Sequence, residues 1–478
     1  MAEFDLILRG ARVLTSTTDS TADIAVKEGR IAAVGDVAGK ATTEMECTDK
    51  VVSPGGVDVH CHIEQMSGMG LMNADTFETA THSALVGGTT TVVSFAAQAK
   101  GQSLAQAMTD YAVRATVGAM TDYAFHIIVS DFEPPLTEQE LRSLIRDGHR
   151  SIKVFTTYNI KLDDQSICDV LSIAKEEGAL VCIHAENDGL ISWTKNRLLA
   201  AGKNHPRHHA LSHPRLAEIE AVNRLISFAE FFATPVMLFH ISTAEAVSAI
   251  RSAKARGVPV WAETCPHYLF MDETELDRPG HEGAKWMCSP PQRTVPDQDA
   301  LWDGLGDGTL SVISSDHAPY RYDNSGKLSA GPDATFAEIA NGLPGLETRM
   351  PLMFDAIVSN DRLAATDFAR LTASEPARIH GLADKGNIAE GFQADLVVWD
   401  PFKKVTFDAN DLNDNVGYNP WVDRTVTGWP EMVFLRGELV VEDGKCRAKP
   451  GHGKWIDRPR PGLSSDIEAA KEYREAIG

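Results

Sequence analysis

The stretch Pro54-Gly-Gly-Val-Asp-Val-His60-Cys-His62 closes a short apolar run with two alternating histidines. In a β-strand, residues i and i+2 face the same side, so His60 and His62 can grip one ion together. Gly55-Gly56 marks a tight backbone entry, and Asp58 lies on the same side of the strand. Alone, such a pair fits a structural role as well as a metal grip. Its weight depends on whether further ligands stand where a metal needs them.

Working outward from this strand, the middle of the chain alternates strand with helix. Strand patterns fall at Val57–Val59, Thr91–Phe95, Tyr123–Val129, Ser151–Phe155, Leu180–Ile183, Val236–Phe239, Val258–Ala262 and Leu310–Ser314. Amphipathic stretches lie between them at Thr76–Val86, Leu104–Val117, Glu138–Asp147, Ser166–Glu177, Pro214–Phe232 and Thr243–Arg256. Eight β units separated by helices predict an α/β fold, a closed (β/α)8 TIM-like barrel rather than an open sheet.

The two ends have another texture. Phe4–Arg9, Ala11–Leu14, Ala22–Val26 and Arg30–Val34 carry near-alternating apolar positions, and the pattern returns at Ala394–Trp399, Met432–Arg436 and Glu438–Glu442. The expected organisation is a smaller β-sandwich from residues 1–54 and 384–460, interrupted by the barrel at 55–383. A tail at 461–478 carries a capping-box pattern, Ser465 with Glu468, and reads as a helix.

Bulk properties narrow the function. The chain has 478 residues, 43% hydrophobic and 23% charged, with a formal net charge of -22. Such acidity, with no basic stripe, argues against a nucleic-acid partner. No apolar run approaches the roughly 18–20 residues that span a bilayer, and the N-terminus lacks signal-peptide features, so no membrane partner is expected. Seven scattered cysteines without C-x-x-C pairs fit reduced thiols and a cytoplasmic location. Packing is the expected role of Cys61 and Cys288.

Barrel enzymes build their sites at the C-terminal ends of the strands. Here the first strand ends in His60 and His62, the fourth carries Lys153, the fifth ends in His184, the sixth in His240 and the last in Asp316. One histidine after an apolar strand is ordinarily structural. Four histidines and an aspartate at one mouth point to a metal site. Lys153 fits beside cations only if its amine is neutral. Reaction with carbon dioxide would make it a carbamate, an anionic bridge with one oxygen for each of two ions.

These residues resemble the cyclic amidohydrolases of the amidohydrolase superfamily, most closely the dihydropyrimidinase and hydantoinase group. The matching segments, in order between about residues 4 and 456, are PGGVDVHCH, GGTTTVVSF (87–95), SIKVFTTY, VCIHAEN, LFHIST, ETCPHYLF (263–270), CSPP (288–291), SSDHAP and NGLPGLETRM (341–350). The resemblance implies two divalent ions, usually zinc; nitrogen and oxygen ligands also accept manganese or cobalt. His60, His62 and Asp316 would hold the buried ion, and His184 and His240 the exposed one. Lys153, as N6-carboxylysine, would bridge them. Asp316 would serve as general base and then acid, and Tyr158 as donor to the oxyanion. Ser289 and Asn341 would hold the cyclic amide through backbone groups. The expected reaction opens a 5-substituted hydantoin or dihydropyrimidine to an N-carbamoyl amino acid, in a homotetramer.

Three details bear on the alternatives. Glu64 stands where dihydroorotases carry an arginine for the substrate carboxylate, which disfavours an anionic ring. The loop Gln65–Met72 is methionine-rich and suits an apolar ring substituent. His317-Ala-Pro-Tyr after the aspartate is more familiar in dihydroorotases and allantoinases, so allantoinase or another cyclic imide hydrolase is the enzymatic alternative. A metal-free scaffold is the non-enzymatic one, disfavoured because all six ligand positions are filled.

Overall fold

Eight parallel strands succeed one another through the middle of the chain in the computed structural model, which describes residues 2–458 and Leu463. They are Gly56–Cys61, Thr89–Ala97, Asp122–Ile128, Ser151–Phe155, Leu180–His184, Val236–Leu238, Val260–Thr264 and Val312–Ile313, each paired with the next. Both faces of these strands are covered. In the fifth, Val181 and Ile183 join the cluster under the helices, while Leu180 and Cys182 join the barrel interior. A strand buried on both sides needs continuous apolar runs, which is what these segments supply.

Helices follow the strands on the outside. Phe77–Val86, Leu104–Gly118, Leu136–Arg146, Asp164–Glu177, Arg215–Phe232 and Ala244–Ala255 lie within a few residues of the amphipathic stretches. Side-chain caps set several starts: Thr76 accepts from Thr79 N, and Asp163 from Ser166 N at 2.8 Å. Two further helices, Asp188–Ala200 and Val295–Gly306, were not legible as amphipathic periods. The first buries only Ile191 among its residues, so it carries almost no apolar stripe to detect.

The ring is not closed by a ladder. Among the described residues, the first strand meets the segment just beyond the last through a single bridge between Cys61 and His317. Arg349 fills the seam. Its guanidinium donates to Val57 O on one side (3.3 Å) and Ile313 O on the other (2.9 Å), and its Nε lies 3.2 Å from Asp58. Asp58 also accepts from Ser315 N at 3.1 Å. Both charged side chains have no solvent exposure.

The chain ends form a separate nine-stranded mixed sheet, which is how the expected β-sandwich appears. Val51–Pro54 sits between Phe4–Leu14 and Leu396–Thr406, joining the N-terminal and C-terminal strands before the chain enters the barrel. The expected runs Phe4–Arg9 and Ala11–Leu14 are one strand with a bulge, centred on Gly10 at φ +63°. Leu6, Leu8, Val13, Ile24, Val52, Leu396 and Val398 form its core. Lys385 fastens sheet to barrel, with its buried ammonium 2.6 Å from both Asp122 and Asp395. The helix expected around Ser465 and Glu468 lies outside the described residues. No described helix is long and apolar enough to cross a membrane.

Candidate metal centre

At the C-terminal mouth of the barrel a cavity of about 510 Å³ is lined by His60, His62, Lys153, His184, His240 and Asp316. Tyr158, Ser289 and Asn341 line it as well. Every residue expected as a metal ligand, proton carrier, oxyanion donor or holder of the cyclic amide therefore faces one space. Tyr158, His240 and Asp316 take positive φ, at +71°, +43° and +47°. Non-glycine residues held there cost of order 1–3 kcal/mol each, a strain that clusters at functional sites.

His60 Nε2 lies 3.1 Å and His62 Nε2 3.5 Å from Asp316 Oδ1, and ligand atoms of the three residues fall within 4.8 Å of one another. The far nitrogens are occupied. His60 Nδ1 stands 2.7 Å from Glu263 Oε1, and His62 Nδ1 stands 2.8 Å from Gln65 Oε1. Each donates there, which fixes the tautomer and leaves Nε2 free for a metal. His184 uses the opposite nitrogen: Nε2 donates to Glu186 Oε2 at 2.8 Å, so Nδ1 is the free ligand atom. His240 packs against it with ring centroids 4.4 Å apart.

Lys153 is completely buried, and its Nζ has no hydrogen-bond partner among the described residues. The amine is boxed by the rings of Phe239, Phe155 and Phe95, with centroids 4.1, 4.9 and 5.5 Å away. Burial lowers its pKa to about 8, so a neutral amine is accessible near neutral pH. Burial likewise holds His184 and His240 below the usual imidazole range, in the neutral form that binds metal. Burial alone would raise Asp316, but His60 and His62 outweigh it and keep its carboxyl well below the usual range. Burial also disfavours charge on His60, yet Glu263 and Asp316 push it up to about 9. The centre therefore combines imidazoles held neutral at His62, His184 and His240, a fourth at His60 that carboxylates favour in its charged form, and an orphaned amine. That donor set fits divalent cations.

Around the ligands, burial keeps the Tyr158 phenol protonated and able to donate. Asn341 Nδ2 donates to Ser289 Oγ at 3.3 Å, and Ser289 Oγ lies 3.4 Å from His213 Nδ1. Glu186 bridges His213 and His184, so the Ser289 side of the cavity is wired to a candidate ligand. Sequence reasoning missed Glu263, Glu186, His213 and Gln65. Glu186 follows His184 by two residues and Glu263 is the penultimate residue of the seventh strand, so both were visible as carboxylates near strand ends.

Glu64 does not face the site. Its carboxylate accepts from Phe77 N, the start of a helix, at 3.2 Å. The wall at this point is Gln65, Ser67, Gly68 and Met69, pinned by Asn159 Nδ2 donating to Gly68 O. Of the methionine loop, Met69 faces the cavity. His317 donates or accepts structurally, to Asp75 at 3.0 Å and from Gly345 N at 3.1 Å, while Tyr320 of the same motif lines the cavity. Cys61 and Cys288 are buried.

Residues 51–440 match the Amidohydrolase family. The chain is 36% identical to the D-hydantoinase of Ralstonia pickettii over 95% of its own length and 99% of that protein. It is 38% identical to the D-hydantoinase of Streptomyces coelicolor, over 95% and 97%. The crystal structure of dihydropyrimidinase from Brevibacillus agri superposes with a TM-score of 0.91 at 35% identity, covering 95% of this chain and 98% of that one.

Proposed function

The chain belongs to the amidohydrolase family, in its hydantoinase and dihydropyrimidinase group, and on that footing we propose a metal-dependent cyclic amidohydrolase that opens a 5-substituted hydantoin or dihydropyrimidine. Water adds to the ring carbonyl, the C–N bond breaks, and the nitrogen leaves with a proton as an N-carbamoyl amino acid forms. The observation that carries the two-ion form of this reading is Lys153. It is a fully buried amine without a hydrogen-bond partner, within electrostatic reach of Asp316, His184 and His240, and no carboxylate among the described residues contacts it to hold it as an ammonium. Addition of carbon dioxide, with loss of a proton, would turn it into a carbamate with two oxygens.

In this reading His60, His62 and Asp316 would hold one divalent ion and His184 and His240 the other, with carboxylated Lys153 as a ligand shared between them. Zinc suits the donor set, with manganese or cobalt acceptable. A bound pair of ions supplies Lewis acidity to the carbonyl and lowers the pKa of water. The protein's own groups do the rest. Asp316 takes the proton of the attacking water and returns it to the leaving ring nitrogen. Tyr158 donates to the oxygen as negative charge develops on it. Ser289 and Asn341 hold the amide edge of the ring, and Met69 faces its substituent.

A homotetramer completes the reading and rests on the family resemblance. A cytoplasmic location is supported by seven cysteines that are all free.

A panel of 5-substituted hydantoins, dihydrouracil, allantoin, dihydroorotate and simple cyclic imides, assayed with divalent metal, tests the substrate. Turnover of hydantoins or dihydrouracil with N-carbamoyl products is expected. Hydrolysis confined to allantoin, dihydroorotate or imides would overturn the assignment. Lys153→Ala should lose bound metal and activity together, with partial rescue by a short carboxylic acid. Full activity without rescue would remove the bridge.

A further inference from the structure

Beneath the cavity, inside the barrel, three more ligand-type side chains converge. His126 comes from the third barrel strand and Cys182 from the fifth. His380 follows the helix Glu375–Ile379, where the chain leaves the barrel for the sheet. All three have no solvent exposure. Cys182 Sγ lies 3.9 Å from His126 Nδ1 and 4.0 Å from His380 Nε2, and the three ligand atoms fall within 4.8 Å of one another.

The orientation of the rings is what distinguishes this cluster from packing. His126 Nε2 is 2.8 Å from Val59 O, and His380 Nδ1 is 3.0 Å from Pro376 O. A carbonyl only accepts, so each of these nitrogens carries the hydrogen. The nitrogens facing the sulfur are therefore bare lone pairs, both aimed at one thiol. A thiol has one proton and is a weak donor, so it cannot satisfy two acceptors. Backbone carbonyls that fix the tautomer are also the usual outer support of a metal-binding histidine. Burial, the largest influence on both rings, holds them neutral, the form that coordinates.

We propose that His126, Cys182 and His380 form a three-coordinate site for copper(I), separate from the hydrolytic centre. One sulfur and two imidazoles are a soft donor set. Charge then selects among soft cations. Arg458, also without exposure, donates to Ser151 Oγ and Phe125 O beside the cluster, and its positive field reaches Cys182, His126 and His380. A divalent ion on one thiolate would add net positive charge to a dry interior that already holds a guanidinium. A monovalent ion on one thiolate adds none. As the sulfur–copper bond forms, the thiol proton leaves to solvent, so the binding step exchanges one monovalent cation for another. Ligand bonds of about 2.0–2.3 Å place the donors of a trigonal site roughly 3.5–3.8 Å apart. The observed sulfur–nitrogen separations need a contraction of only a few tenths of an ångström. Such an ion would tie two barrel strands to the segment that leads into the sheet.

The test uses the full chain purified from copper-supplemented culture under anaerobic conditions and washed with a chelator. Copper content is compared among the wild type, Cys182→Val and His380→Phe, alongside the divalent metal content and the copper X-ray absorption spectrum. One copper per wild-type chain is expected, with a copper(I) edge and one sulfur and two nitrogen neighbours. Both variants should lose that copper and keep the wild-type divalent metal. Wild type without copper, copper retained in both variants, or a spectrum without sulfur would overturn the site. Should a core variant fail to fold, the wild-type spectrum decides alone.

Discussion

Asp316 shows how much chemistry one side chain is asked to carry. Its backbone is held at positive φ, its Oδ1 faces His60 and His62, and the same two histidines keep it ionised despite burial. Asp316→Asn preserves shape and removes the charge, so kcat should fall by about 10²–10⁴-fold while the circular dichroism spectrum and Tm stay near wild type. Turnover close to wild type would exclude it as the proton carrier. Glu64 is the opposite lesson. Its position two residues after His62 is plain in the sequence, but which way the side chain turns depends on Phe77 N, thirteen residues later. Gln65, Ser67 and Met69 form the cavity wall there instead, so Glu64 supplies no selection against anionic rings.

At the scale of elements, most strands and helices follow from local signals: apolar runs between turns, and capping residues such as Thr76 and Asp163 ahead of amphipathic stretches. What those signals miss is how elements are fastened together. Asp297 accepts from Thr294 at the start of its own helix, from Ala244 N at the start of another, and from Arg215 through 2.6 and 2.7 Å contacts. Three helix N-termini thus share one carboxylate, where negative charge also suits their dipoles. Burial would raise its pKa, but these donors outweigh burial and hold it well below the ordinary value. A depressed carboxyl contributes stability that is fully present above the unfolded pKa of about 3.9 and is lost as pH falls through the folded value. Asp297→Asn should therefore cost about 1.5–3 kcal/mol at pH 7. The gap in denaturation midpoint should narrow as pH drops below about 4. A gap independent of pH would mean that charge on Asp297 is not the stabilising feature.

At the scale of the molecule, the barrel closes through a side chain where a ladder is missing. Arg349 bonds carbonyls of the first and last strands and faces Asp58, both side chains without solvent exposure. Arg349→Met leaves Asp58 buried and unpaired, and should cost about 3–5 kcal/mol. Adding Asp58→Asn removes the uncompensated charge and should recover part of that loss in a double-mutant cycle. Strictly additive losses would show that the pair does not act as a unit. Because His60 sits on the first strand and Asp316 three residues beyond the last, the same seam bears on the spacing of the candidate metal site.

The sequence by itself determined the succession of strands, the residues at their ends and hence the set of candidate ligands, since period and punctuation are local properties of the chain. Only the tertiary structure decided which carboxylates orient those ligands, with Glu263 lying 203 positions from the histidine it holds. It also turned Glu64 away from the cavity, placed Arg349 in the seam and brought His126, Cys182 and His380 together. Such contacts join residues far apart in the chain. No periodicity records them, because they exist only once the barrel has closed and excluded water from its interior.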